Sequence, residues 1–312
     1  MGPIRFVQIV SIIGHSIADP IEGLLFFNRV LASRARLGVE ASLCLDMDIV
    51  LMKLKGGQTA EVKQNLDDAL LVLNGISSAE SFVFSKYYKS SLEYRKITGP
   101  PEHFYKEAIT YLSYTPVHDI PSDQQYILAT DMALAALISE GVYNFGEVLG
   151  TPVLHVLKST PNSWLHDLVV ALHRGSIDDF NSIVDANRET YFQQPSLSNK
   201  HEEMKQKVVL LSLMNMVFER ASNDRTLNFI DIADRSRIPL NQVEWVLMRA
   251  MSLGLIEGSI DEITQTTNIT WVQPRHMDIV QVGQLSTQLH SWAQRVKTVL
   301  CTIEAQTPEL FS

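Results

Sequence analysis

The sequence predicts a mostly α fold: a TPR-like helical-repeat solenoid, then a winged-helix module, then one long C-terminal helix. Apolar residues recur at helical spacing from Ile4 to Arg220, for example Leu66, Leu70 and Leu73, or Leu165, Leu168, Val169 and Leu172. Short breaks holding Gly, Pro and Ser separate these stretches, as in stacked helical hairpins. Between Arg225 and Arg275 the pattern changes to two short helices and two β-prone segments.

The helices are expected in this order. Ile4–Ile17, Pro20–Arg36, Glu40–Leu54, Ala60–Asn74, Ala79–Ile97 and Pro101–Leu112 form N-terminal repeats over residues 1–112. Asp123–Ser139, Phe145–Leu149, Val153–Leu157, Trp164–His173, Ile177–Asn187 and Glu202–Arg220 form the helical part, 113–224, of a second domain, 113–275. Ser77-x-x-Glu80, Ser122-x-x-Gln125 and Ser176-x-x-Asp179 fit or approximate capping boxes, in which a serine oxygen accepts a first-turn N–H. The polar stretch Gln193–Asn199 reads as a loop, and Val208-Val209-Leu210-Leu211 as buried helix beneath the winged helix. No strict repeat consensus is present, so an irregular helical bundle remains the alternative to a solenoid.

The winged helix occupies 225–275. Phe229–Ser236 and Leu240–Leu253 are its helices, and Pro239 both stops the first and suits the start of the second. Leu255–Glu262 and Asn268–Gln273 follow as a two-stranded ribbon. After Pro274 a helix over Met277–Gln306 fills a C-terminal assembly segment, 276–312. Leu285, Leu289, Trp292, Val296, Val299 and Ile303 make a heptad-like seam along it. Packing on its own domain and a bundle with other chains both satisfy that seam.

Composition bounds the function. Of 312 residues 46% are hydrophobic and 20% charged, which is a packed protein rather than a disordered one. Two cysteines, Cys44 and Cys301, are too few for a disulfide framework, so a reducing compartment is expected. Ile4–Ile17 is interrupted by Arg5, Gln8 and His15 and is too short to span a bilayer. No membrane partner is expected.

Chemistry-bearing patterns are missing. His201-Glu202-Glu203-Met204 lacks the second histidine of H-E-x-x-H, and His166 and His173 have no accompanying ligand set. Gly56-Gly57 is followed by Gln58-Thr59, not by a phosphate-binding Lys. No G-x-S-x-G occurs, and Cys44 sits in an apolar helix where burial is the ordinary role. No catalytic residue, cofactor, metal or small-molecule substrate is therefore assigned.

Winged helices often bind DNA, but net charge is −9 and the wing, Gly258–Thr270, holds Glu262 and Asp261 without Lys or Arg. The second helix offers only Asn241, Gln242 and Arg249 beside Glu244. Arg225, Arg235 and Arg237 are the one basic cluster. No nucleic acid is expected, and the open edge of the small sheet is better suited to adding a strand from another protein. The candidate edge interface is Gly258, Ser259, Ile260, Asp261, Thr270, Trp271 and Val272.

Helical repeats, a winged helix and a terminal helix in this order resemble the PCI-domain family. The runs Ser139–Glu147 (SEGVYNFGE), Gly254–Glu262 (GLIEGSIDE) and Thr270–Arg275 (TWVQPR) are similar to those of PCI subunits of the proteasome regulatory-particle lid. The resemblance implies a non-catalytic scaffold in cytoplasm and nucleus. Its partners would be other PCI-domain lid subunits, met through the winged helix and the terminal helix. It also implies a shortened N-terminus, because such relatives begin with more repeats. A nucleic-acid-binding winged helix, or a PCI scaffold of the COP9 signalosome or a translation initiation factor, are the alternatives.

Overall fold

The computed structural model describes residues 2–17, 19–32, 37–76, 80–220, 225–275 and 279–306. They divide into two units, Met1–Val272 and Gln273–Ser312.

The first unit opens with α1 (Pro3–Ser16) and α2 (Pro20–Leu31), both started by proline, whose fixed φ suits a first turn. The Asp19 carboxylate accepts from the Ile21 N–H at 2.9 Å and caps α2. α3 (Val39–Lys55) is apolar almost all round, and α2, α4 (Ala60–Asn74) and α5 (Ser81–Thr98) pack against it. Cys44 lies in this core, where burial pushes its thiol up to about 12.

Asp48 is the one carboxylate on that buried helix face. Its Oδ1 lies 3.0 Å from His15 Nε2 of α1 and accepts from Lys86 Nζ of α5 at 2.7 Å. Burial raises its pKa. The His15 hydrogen bond and the Lys86 charge outweigh that and hold the carboxyl below the usual carboxylate range. The cluster ties three helices of the first repeats together.

α5 passes the chain to α6 (Pro101–Tyr114), with Tyr114 stacked on Phe84 at 4.8 Å and on Tyr88 at 5.8 Å. Tyr88 packs against both the N-terminal core and the larger core that runs from Leu92 to Val272. α7 (Ser122–Ile138), α8 (Phe145–Leu149) and α9 (Ser163–Arg174) follow. α10 (Ile177–Ala186), α11 (Arg188–Gln193), α12 (Pro195–Asn199) and α13 (His201–Glu219) complete the helical part. Helices adjacent in sequence pack on one another, as in stacked hairpins, and α13 carries Val208, Leu210 and Leu211 into the core below the winged helix.

Several details differ from expectation. Val153–Leu157 lies within a 3₁₀ segment, Pro152–Ser159, rather than an α-helix. Gln193–Asn199 is not a loop: α11 ends at Gln193 and α12 starts on Pro195. Ser122 is the first helical residue and caps nothing; the Gln125 amide instead donates to the Val117 and Ile120 carbonyls at 2.8 and 2.7 Å. Ser176 does cap α10, accepting from the Asp179 N–H at 3.3 Å. Ser77 and the expected helix ends at Arg36, Ala79 and Met277 lie outside the described residues.

Lys207 is the buried cation of this core. Its Nζ donates to the carbonyls of Ala136, Leu137 and Ser139 at 3.0, 3.4 and 2.7 Å, capping the C-terminal end of α7. The rings of Phe145 and Tyr143 flank it at 4.9 and 5.5 Å. Burial pulls its pKa from 10.5 to about 7. Between those pH values Lys207 holds its proton in the unfolded chain and has lost it in the folded one, so its contribution to stability rises with pH there. The expected slope is at most about 1.4 kcal/mol per pH unit. Urea unfolding from pH 7 to about 8.5, below the range where an unfolded Cys44 thiol ionises, should show this rise, and Lys207→Met should flatten it.

The winged helix begins with a strand absent from the sequence pattern, β1 (Thr226–Asn228). α14 (Phe229–Ser236), α15 (Leu240–Ser252), β2 (Ile256–Asp261) and β3 (Thr266–Val272) follow. Among the described residues the sheet therefore has three antiparallel strands in the order β1-β3-β2, not two. Val243, Val246, Leu247 and Ala250 form the buried stripe of α15. The second unit holds α16 (Ile279–Gln306).

Candidate interaction surfaces

β3 is the middle strand, which changes where the sheet is open. β1 pairs with Thr266, Thr267 and Asn268, and the Ile269 N–H donates to the Arg225 carbonyl at 3.2 Å. Beyond that point Thr270, Trp271 and Val272 extend past the end of β1. β2 has β3 on one side and, among the described residues, no strand on the other. Gly258, Ser259, Ile260 and Asp261 thus lie on an edge strand, and Asn268 does not. The Val272 side chain is buried and Ile260 is half-buried. Only their backbones are available to an added strand, whereas Ser259, Thr270 and Trp271 also expose side chains.

A bulge shapes this edge. Glu257 faces Trp271 while Gly258 faces Ile269, so Thr270 is the extra residue. Its hydroxyl donates to the Glu257 carbonyl at 3.2 Å. A Cβ on residue 258 would stand 2.2 Å from the Asn268 carbonyl oxygen, so only glycine permits this close approach. At the strand's end Asp261 Oδ1 accepts from the N–H groups of Ile263 and Thr264 at 3.0 and 3.2 Å. A hydrogen bond from the Thr264 side chain first, and then the Thr264 and Ile263 N–H bonds, hold its carboxyl below the usual range. Gln265, at φ 50, turns the chain back into β3.

Two of the three arginines in the basic cluster, Arg235 and Arg237, are paired within the chain. The Arg235 guanidinium is bidentate to Glu219 of α13. Arg237 reaches Asp178 at 3.3 Å and Arg220 reaches Asp231 at 3.4 Å. The outward face of α15 presents Trp245 and Met248, about half exposed, beside Arg249. A DNA-reading helix needs several outward cations and amides, and α15 offers a single arginine, Arg249, on a face that is otherwise largely apolar.

α16 carries its seam along one side: Leu285, Leu289, Trp292, Val296, Val299 and Ile303. A single helix has nothing within itself to bury such a stripe against.

A family model described as PSD13 N-terminal repeats matches residues 1–169, more than half of the chain, and one described as PCI domain matches 179–271. The 26S proteasome non-ATPase regulatory subunit 13 homolog A of Arabidopsis thaliana is 34% identical over 271 residues, covering 87% of this chain and 70% of that protein. The chain belongs to the family of 26S proteasome non-ATPase regulatory subunit 13. The Dictyostelium discoideum subunit 13 is 32% identical across 84% of this chain and 69% of its own length. The 26S proteasome regulatory subunit RPN9 of Saccharomyces cerevisiae is 30% identical across 85% of this chain and 66% of its own. The three runs that resembled lid subunits lie at working positions of the subunit 13 fold. Ser139, Tyr143 and Phe145 surround Lys207, Gly258 closes the bulge, and Thr270 and Trp271 form the far side of it.

Proposed function

We propose that this chain is a non-catalytic scaffold subunit of the 26S proteasome regulatory-particle lid, supporting assembly of the complex and thereby ubiquitin-dependent protein degradation. One observation carries the reading: the family match runs through the repeats and the PCI domain alike, and relatives matched over most of the chain are named as proteasome regulatory subunits. Neighbouring PCI subunits would be met in two ways. An extended segment would add to the β2 edge at Gly258, Ser259, Ile260 and Asp261, or past β1 at Thr270, Trp271 and Val272. The seam of α16 would enter a bundle with helices of other chains. The proposed complex is placed in cytoplasm and nucleus; separately, no helix among the described residues is long and apolar enough to cross a membrane.

The proposal keeps the division drawn from the sequence, repeats over 1–112 and a second domain over 113–275, and gives the neighbour contacts to the second domain and the terminal helix. The nucleic-acid reading is disfavoured by the paired arginines and the apolar face of α15. Affinity purification of the tagged chain from cells of its source should recover proteasome lid subunits in fixed stoichiometry. Recovery of the chain as a clean monomer, or with a different PCI complex, would overturn the proposal.

A further inference from the structure

A groove of about 470 Å³ runs between α13 and α15, on a different part of the winged helix from the sheet edge. Its floor is apolar: Val209 and Leu210 from α13, Ile238 from the turn before α15, and Val246 from α15 itself. Trp245 forms one lip and is 48% exposed, an unusual degree of exposure for so large an apolar ring. The Arg249 guanidinium lies over the Trp245 ring, 5.7 Å from its centre, and among the described residues no carboxylate pairs with it. The other cation at the groove, Lys205, is already matched by Glu202 at 3.2 Å. The groove thus has one unmatched positive charge on a chain whose net charge is −9. Two side-chain amides, Gln206 on α13 and Gln242 on α15, face it from opposite walls.

We propose that this groove docks a short peptide segment of another protein, one that carries an apolar side chain beside a carboxylate. The apolar side chain enters between Val209 and Val246 and covers Trp245. The carboxylate pairs with Arg249, whose stacking on Trp245 holds the guanidinium in place for a bidentate contact. The glutamine amides offer both donors and acceptors to the peptide backbone. Charge complementarity selects an acidic segment. The volume falls within the roughly 300–1,000 Å³ range of sites that enclose small ligands, so it takes a few side chains rather than a whole helix. An anion alone would leave the floor unused, and an apolar ligand alone would leave Arg249 unmatched. The inference does not depend on membership of the lid.

The test is panning of a displayed library of random short peptides on the purified full chain, with Arg249→Glu panned in parallel. The expected result is enrichment of an apolar residue next to Asp or Glu on the unaltered chain, and a switch toward Lys or Arg on Arg249→Glu. A synthesised peptide from the acidic pool should bind about tenfold more weakly to Arg249→Glu and to Trp245→Ala. Arg249→Lys should retain part of the binding, and thermal melts should coincide for all variants. Enrichment without acidic residues, the same peptides on Arg249→Glu, or no enrichment on the unaltered chain would each overturn the proposal. Because the assay uses the isolated chain, failure of lid incorporation leaves its outcome untouched.

Discussion

Gly175→Ala is expected to destabilise the chain by about 2–5 kcal/mol, the sum of a left-handed backbone penalty and forced overpacking. Gly175 ends α9 at φ +63, and the next residue completes the cap: the Ser176 N–H donates to the Ala171 carbonyl at 3.1 Å. An added Cβ would stand 2.7 Å from both Cα and N of Ser212 in the middle of α13. Those are backbone atoms of a buried helix and cannot swing aside. The Asn215 amide, one turn further along α13, donates to the His173 carbonyl at 3.2 Å and fixes the two helices at this separation. Gly254 is the built-in control, since its φ is +66 but open space surrounds it. Gly254→Ala should lose only the backbone part, about 1–2 kcal/mol. Urea unfolding of both variants separates the two contributions, and equal losses would refute the close contact. Because α13 also packs on α14 and β3, hydrogen exchange in β3 should quicken in Gly175→Ala.

That contact illustrates what the sequence could and could not convey. Gly175 was legible as a helix stop, because glycine suits a left-handed cap. Its second duty, letting α13 approach, depends on a helix more than thirty residues away and leaves no local mark. The same division holds in the winged helix. Phe229–Ser236 and the start of α15 at Leu240 were legible, because Pro239 breaks the chain there and Val243, Val246, Leu247 and Ala250 keep one face. β1 was not, since three residues with a single inward side chain, Leu227, give no period to detect. α12 was hidden by a Pro, Ser and Asn composition that also describes loops, and α11, Arg188–Gln193, is too short to show a helical period. At the edge, Gly258 was visible as a glycine, but the bulge that requires it is a property of register and belongs to both strands. Trp245 and Arg249 show one turn apart in the sequence; the groove they border exists only because Val209 of α13 forms its other wall.

Placing two charges in the α16 seam, Leu289→Glu with Trp292→Glu, is expected to cut incorporation into the proteasome lid by about a hundredfold or more. Each side chain is of the large apolar kind that anchors interfaces, and losing two such anchors at about 2 kcal/mol or more apiece exceeds that factor. The spacing of the seam, alternating four and three residues, is what a helix needs to keep one face toward a left-handed bundle. A glutamate at either position would have to enter that bundle unpaired. Gln294→Glu with Thr298→Glu adds the same charge on the opposite side of α16 and should leave incorporation unchanged. Incorporation is read as co-purification of lid subunits with the tagged chain, and thermal melts of the isolated variants are taken alongside. Unchanged melting with lost co-purification places the seam at a partner. A lowered melting temperature in the seam variant alone makes it part of this chain's own core, and normal co-purification removes it from the interface altogether. The β2 edge then becomes the contact to test, with proline at Ser259 blocking any added strand.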